Sequence, residues 1–145
     1  MRIAVIGTGT GGVGGGFGAA LAKAGGDVIP LQNGIYAAAR LPLGKLRDDP
    51  DVFALFGSVM RETEALGRAR GVTGLEGAAD RLLAGLRQAS PTIMASMAHD
   101  LIRGNRIELP WLAGLVVSLG RELGVPTPAN AFVYAALKPY VNGPP

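Results

Sequence analysis

Four side chains able to do polar chemistry fall close together in the second half of the chain: Ser96, the lone histidine His99, Asp100 and Glu108. A serine hydroxyl can hold a substrate carboxylate or hydroxyl, and it can equally bond back to a carbonyl of its own helix. A glutamate ahead of a helix can bind a ligand, or it can serve only the dipole of the helix that follows. His99, next to Asp100 on the wet side of its segment, reads as a solvated side chain rather than a general base. One histidine and no cysteine argue against a transition-metal site and remove disulfides and thiolate catalysis. On one unbroken helix Ser96 and Glu108 would stand about 18 Å apart, too far to share a small ligand. A reversal at Gly104 could bring them together.

The elements that must position these groups are helical. Ser90-Pro91 has the form of an N-cap with proline at the first helical position, and Gly104 that of a left-handed stop, which predicts a helix over Pro91–Arg103. Met94, Met97 and Leu101 mark its buried face; Ser96, Asp100 and Arg103 share another. Trp111, Leu115 and Leu119, with Leu112, Val116 and Leu123 beside them, predict a second core helix ending at Gly124. Upstream, Asp49 caps a helix with Pro50 first, carrying Phe53, Phe56, Met60 and Thr63 and running to Gly71. Leu75–Arg87 reads as another, with Leu82, Leu83 and Leu86 inward, and Thr127-Pro128 opens a last helix with Phe132, Ala136 and Leu137. These five helices suit one small α domain spanning 47–145, helical from about 48 to 138.

Residues 1–46 have a different grammar. Met1–Ile6 is a short apolar run ended by glycine, the pattern of a buried parallel strand. GTGTGGVGGGFGAALAKAGGDV follows, with a helix from about Gly16 to Ala24. Strand, glycine-rich turn and helix is the context in which G-x-G-x-x-G signals dinucleotide binding, because a pyrophosphate needs backbone N–H groups at close range and the positive end of a helix dipole. Two registers overlap: Gly7, Gly9 and Gly12, or Gly9, Gly11 and Gly14. The cofactor-contacting residues are therefore placed at Gly7, Thr8, Gly9, Thr10, Gly11 and Gly12, the alternative being a flexible turn without ligand. Val28–Gln32 reads as a second strand, paired in parallel with the first, and Asn33-Gly34, from sequence alone, as a plain turn.

Composition bounds the rest. At 145 residues the chain holds one ordinary core, and 48% hydrophobic with 17% charged residues excludes a disordered chain. A net charge of +3 without a basic run speaks against a nucleic-acid partner. Residues 3–22 carry no charge, but their glycines and threonines deny them the apolar density of a membrane span, and they break the apolar core of a signal peptide. The expected location is the cytoplasm.

The order Ser96-Met97, Asp100, Glu108, Trp111, Gly114, followed by Gly120-Arg121-Glu122-Leu123-Gly124-Val125-Pro126-Thr127-Pro128-Ala129-Asn130, resembles the C-terminal helical domain of the ketopantoate reductase (2-dehydropantoate 2-reductase) family. Pro110 and Ala113 depart from that pattern, where aspartate and asparagine are usual. The resemblance extends over about 1–25, 28–35 and 40–143. Within it, Val28–Gly34 is similar to a much later strand of the family's nucleotide domain, ending in an asparagine that lies against substrate and cofactor. Tyr36–Leu46 is similar to the segment entering the helical domain. The intervening strands and the helix with the family's catalytic lysine have no counterpart, and neither Lys23 nor Lys45 stands in that lysine's pattern.

What the resemblance implies is an internally shortened, NADPH-dependent reductase of 2-dehydropantoate to pantoate, on the path to pantothenate and coenzyme A. Its fold is mainly α, a small all-helical domain preceded by a truncated Rossmann-like β-α-β fragment over 1–46. Asn33 and Ser96 are the substrate-binding residues, Asn33 and Glu108 join the glycine loop on NADP, and no residue fills the catalytic role. Weak NADP binding, a 2-keto acid substrate, a homodimer and impaired turnover are expected. The alternative is a non-catalytic helical packing or dimerisation module with a vestigial nucleotide-binding turn.

Overall fold

The computed structural model describes residues 33–145. The glycine run from Gly7 to Gly12 and the strands expected near 2–6 and 28–32 lie outside them. The regular elements among the described residues are all helical, with no strand: α1 (Asn33–Ala39), α2 (Leu43–Arg47), α3 (Pro50–Ala69), α4 (Ala78–Gln88), α5 (Ser96–Ile102), α6 (Ala113–Leu123) and α7 (Pro128–Leu137), with 3₁₀ turns at Leu109–Trp111 and Lys138–Tyr140.

The 20-residue α3 is the spine of this body. Its start follows the sequence grammar: the Asp49 carboxylate accepts from the N–H groups of Asp51 and Val52, both at 3.0 Å, and Pro50 takes the first helical position, where its missing donor costs nothing. Phe53, Phe56 and Met60 are buried along one stripe, and the Thr63 hydroxyl donates back to the Val59 carbonyl. Around α3 a single core gathers Leu43, Leu46, Leu86, Val116 and Val133. Residues 33–46, assigned by sequence to the N-terminal fragment, contribute Ile35, Tyr36, Ala37, Leu43 and Leu46 to that core. Tyr36 meets Phe56 edge to face at 5.6 Å. Burial pushes its phenol up to about 12, with the nearby Arg47 guanidinium acting in the opposite direction.

Three helix ends are closed by side chains from elsewhere in the chain. The Glu62 carboxylate accepts from the N–H groups of Ala129 and Asn130 at 2.7 and 2.9 Å and from the Asn130 amide at 2.7 Å, capping α7, whose own Thr127 makes no side-chain cap. Glu64, two residues on, accepts from Gly77 and Ala79 at 3.0 and 2.9 Å at the start of α4. At the other end of α4 the Arg47 guanidinium donates to the carbonyls of Leu86, Arg87 and Ala89. Helix termini leave orphan donors and acceptors, and charged partners match the dipole at each end.

Several sequence expectations change in this setting. Pro91–Ala95 is not helical; the helix expected over Pro91–Arg103 is confined to Ser96–Ile102. The reason lies in α2, whose first N–H groups, from Leu43 and Gly44, donate to the Ile93 and Pro91 carbonyls at 2.8 and 2.9 Å. A helix through Pro91 would consume those acceptors in its own ladder. The helix expected from Leu75 begins at Ala78, and Leu75 is buried in the preceding turn against Gly67. Phe132 is 66% exposed: α7 is turned so that Asn130, Val133 and Leu137 face inward. Close approach fixes that rotation, since a Cβ on Gly34 of α1 would collide with the Val133 side chain.

Candidate functional site

The corner between α5 and α6 is built by strict alternation. Arg106 and Glu108 are exposed, while Ile107 and Leu109 are 1% and 0% exposed. Two buried anchors thus hold the segment to the core while the Arg106 guanidinium and the Glu108 carboxylate stay at the surface. The backbone is pinned as well. Gly104 stops α5 in a left-handed conformation, φ +73°, that its lack of a Cβ permits. Asn105 donates its N–H to the Asp100 carbonyl at 2.8 Å and its amide to the Asp100 carboxylate at 3.2 Å, and Ile107 donates to the Val141 carbonyl at 3.0 Å.

Glu108 thus sits at the head of the 3₁₀ turn Leu109–Trp111, accepting from the Trp111 N–H through its backbone carbonyl only. Its carboxylate makes no cap bond, and among the described residues it has no hydrogen-bond or ion-pair partner. Of the two uses open to it in the sequence, helix capping through the side chain is not realised. Ser96 is the exposed first residue of α5 rather than a mid-helix serine, and no bond from its hydroxyl to a described residue is formed. His99 is exposed, and Asp100, its neighbour, is engaged with Asn105. Asn33, expected at a strand end or in a turn, is the half-buried first residue of α1, with Gly34 in the same helix. The helices that open with Asn33 and Ser96 pack on one another. No hydrogen bond joins Asn33, Ser96 and Glu108 to each other. Gly7, Thr8, Gly9, Thr10, Gly11 and Gly12 fall outside the described residues.

Trp111, expected in the core, is 52% exposed, with the Arg106 guanidinium 5.2 Å from its ring centre. The 3₁₀ turn advances about 120° per residue against 100° in an α-helix. With Leu109, Leu112 and Ala113 buried, that change of phase swings the indole out beside Arg106. Arg106 was not singled out from sequence, and the only signal for it was its place two residues before Glu108 in an alternating run. Glu62, Glu64 and Arg47 carried no local signal, because their partners lie far away along the chain. Among the described residues no group of three or more His, Cys, Asp or Glu side chains could hold a metal, and no helix is long and apolar enough to cross a membrane.

Residues 28–141 match the family described as ketopantoate reductase PanE/ApbA C terminal. The chain belongs to the ketopantoate reductase family. Over 80 residues it is 39% identical to the 2-dehydropantoate 2-reductase of Caulobacter vibrioides, a match spanning 55% of this chain and 28% of that protein. The crystal structure of a PanE/ApbA family ketopantoate reductase from Ralstonia eutropha JMP134 is 34% identical with a TM-score of 0.66, covering 85% of this chain and 40% of that one. The dimeric ketopantoate reductase of Staphylococcus aureus, at 20% identity, shares the fold with a TM-score of 0.70 over 76% of this chain and 38% of its own. A D-mandelate dehydrogenase crystallised with NADH and anilino(oxo)acetate, at 14% identity, shares the fold with a TM-score of 0.67 over 86% of this chain and 39% of its own. The chain therefore spans about two fifths or less of the length of these relatives. The mainly helical fold expected from sequence is the fold of the described residues.

Proposed function

We propose that this chain is the helical half of an NADPH-dependent 2-dehydropantoate 2-reductase, converting ketopantoate to pantoate for pantothenate synthesis in the cytoplasm. The observation that carries the reading is the Glu108 carboxylate, held outward by Ile107 and Leu109 with no described partner of its own. A carboxylate fixed in place and left with all its acceptor sites suits a ligand bearing hydroxyl groups. Glu108 and Asn33 meet the cofactor in this reading, and Ser96 and Asn33 meet the 2-keto acid. The glycines from Gly7 to Gly12, with Thr8 and Thr10, supply N–H groups to the pyrophosphate.

NADP, when bound, supplies the hydride; this chain's residues bind and orient. Reduction also needs a proton for the developing alkoxide, and a positioned acid for it typically contributes about 10² to 10⁴-fold. Neither Lys23 nor Lys45 matches the sequence pattern of the family's lysine, so the chain alone should bind NADPH weakly and turn over negligibly. NADPH consumption at 340 nm with ketopantoate tests this. A rate near the ordinary range of about 1 to 10³ per second, abolished by Glu108→Ala, would show that an acid is supplied after all.

A second reading, a non-catalytic dimerisation module, is favoured by the exposed Phe132, with Ala135 and Ala136 exposed one turn further along α7. Sedimentation of the native chain against Phe132→Glu separates the two. A dimer lost in the variant, together with no NADPH binding, would favour the module.

A further inference from the structure

The last residues of the chain return to the corner between α5 and α6. After α7, the 3₁₀ turn Lys138–Tyr140 and the turn that follows it close on themselves: Val141 donates its N–H to the Lys138 carbonyl at 3.3 Å, and Gly143 donates to the Tyr140 carbonyl at 3.1 Å. The Val141 carbonyl is thereby presented to the Ile107 N–H at 3.0 Å, and among the described residues this is the one backbone hydrogen bond that ties 104–108 to a distant segment. Pro144 closes over Gly104, and Gly143 is buried so tightly that a Cβ on it would stand 2.9 Å from the Gly104 carbonyl oxygen. Its φ of +105° independently calls for glycine. The same turn meets the end of α1, where the Arg40 guanidinium stands 5.8 Å from the Tyr140 ring centre, and Tyr140 and Val141 pack on the core.

We propose that the C-terminal turn Tyr140–Pro144 is a clasp that positions Glu108 for its ligand, with Val141 and Gly143 as the positioning residues. Glu108 follows Ile107 directly, and its own carbonyl accepts from the Trp111 N–H. The tail bond on one side and the 3₁₀ turn on the other therefore fix the backbone from which the carboxylate projects. Since that carboxylate has no described partner to orient it, its place is set by this backbone and by the buried Ile107 and Leu109. Without the tail, the backbone bonds of 104–108 would reach no further than Asp100, Leu101 and Trp111, and an exposed segment held by local bonds alone opens readily. This rests on the reductase reading above for what Glu108 binds, and adds to it a segment that never touches the ligand.

Gly143→Val and a chain ended at Asn142 test the clasp from opposite directions, one inserting atoms and the other removing them, and Asn142→Ala, at an exposed neighbour, is the control. Amide hydrogen exchange at Ile107 reads the bond itself. It should quicken by about tenfold or more in both variants, while Phe56 within α3 keeps its protection. NADPH, titrated through its emission, should then half-saturate at a several-fold higher concentration, because order that the clasp supplied beforehand must be gained on binding. In a Glu108→Ala background the same two changes should leave NADPH affinity where Glu108→Ala alone puts it, since nothing is left to position. Unchanged Ile107 exchange in both variants overturns the clasp and leaves the reductase reading standing. Faster exchange with unaltered NADPH affinity, losses that simply add to that of Glu108→Ala, or loss of Phe56 protection in both variants makes the turn part of the scaffold and overturns the positioning role. Absence of NADPH binding by the native chain overturns the reductase reading and the positioning role together.

Discussion

Three glutamates, Glu62, Glu64 and Glu108, do different things in this fold, and the contrast between the α3 pair and the corner locates the division between structure and site. On α3, Glu62 and Glu64 are spent on helix starts: one accepts three hydrogen bonds at α7, the other two at α4. At the corner, Glu108 makes none through its side chain to any described residue. The same carboxylate chemistry serves the scaffold where orphan N–H groups converge on it, and is left for a ligand where the neighbouring backbone groups are satisfied by other means. The corner's backbone is satisfied by Asp100 and Val141, which is why Glu108 has nothing to cap.

The contrast breaks most severely at Glu62. Glu62→Ala should cost about 3 kcal/mol, since it removes two charge-assisted caps and leaves the buried Asn130 amide, 0% exposed, only the Val59 carbonyl at 3.3 Å as acceptor. That corresponds to a fall of roughly 10 °C or more in Tm for a chain of this size. A loss under about 1 kcal/mol in urea unfolding would mean that α7 is held by packing alone.

Tyr36 offers a second test of the body, through pH. Its phenol ordinarily titrates near 10 and is raised to about 12 in the fold. The contribution to stability is therefore fully present below pH 10 and is lost as pH rises from 10 through 12. Absorbance at 295 nm should show one of the three tyrosines ionising late, with unfolding, and Tyr36→Phe should remove that late step.

Smaller effects sharpen the comparison. Glu64→Ala should cost about 1 kcal/mol, the usual value of a helix cap, because its bonds to Gly77 and Ala79 are less buried than those of Glu62. Glu108→Ala should change stability by less than about 0.5 kcal/mol while weakening NADPH binding. A marked loss of stability there would assign Glu108 to the scaffold and close the distinction between the two regions.

Much of the scaffold was legible in the residues. Asp49-Pro50 opening α3, Gly104 and Gly124 closing α5 and α6, and the stripe Phe53, Phe56, Met60 are local signals, and each is realised. They succeed because a cap, a left-handed glycine or a helical stripe is decided within a few residues of chain. The spacing from Ser96 to Glu108 likewise carried the family, and the helical domain bears the family out.

What sequence alone determined, then, is where helices begin and end when their own neighbours do the capping, and which family the motif spacing belongs to. The tertiary structure decided everything that depends on a distant partner. It drew Pro91–Ala95 out of a helix so that two carbonyls could receive α2, and it set α7 on Glu62 rather than on Thr127. It turned Phe132 outward because Val133 had to meet Gly34, and it moved Trp111 from the expected core to the side of Arg106. In each case the local pattern left two or more arrangements close in energy. The choice fell to contacts between segments far apart in the chain, each worth a kcal/mol or so, which no window of sequence contains.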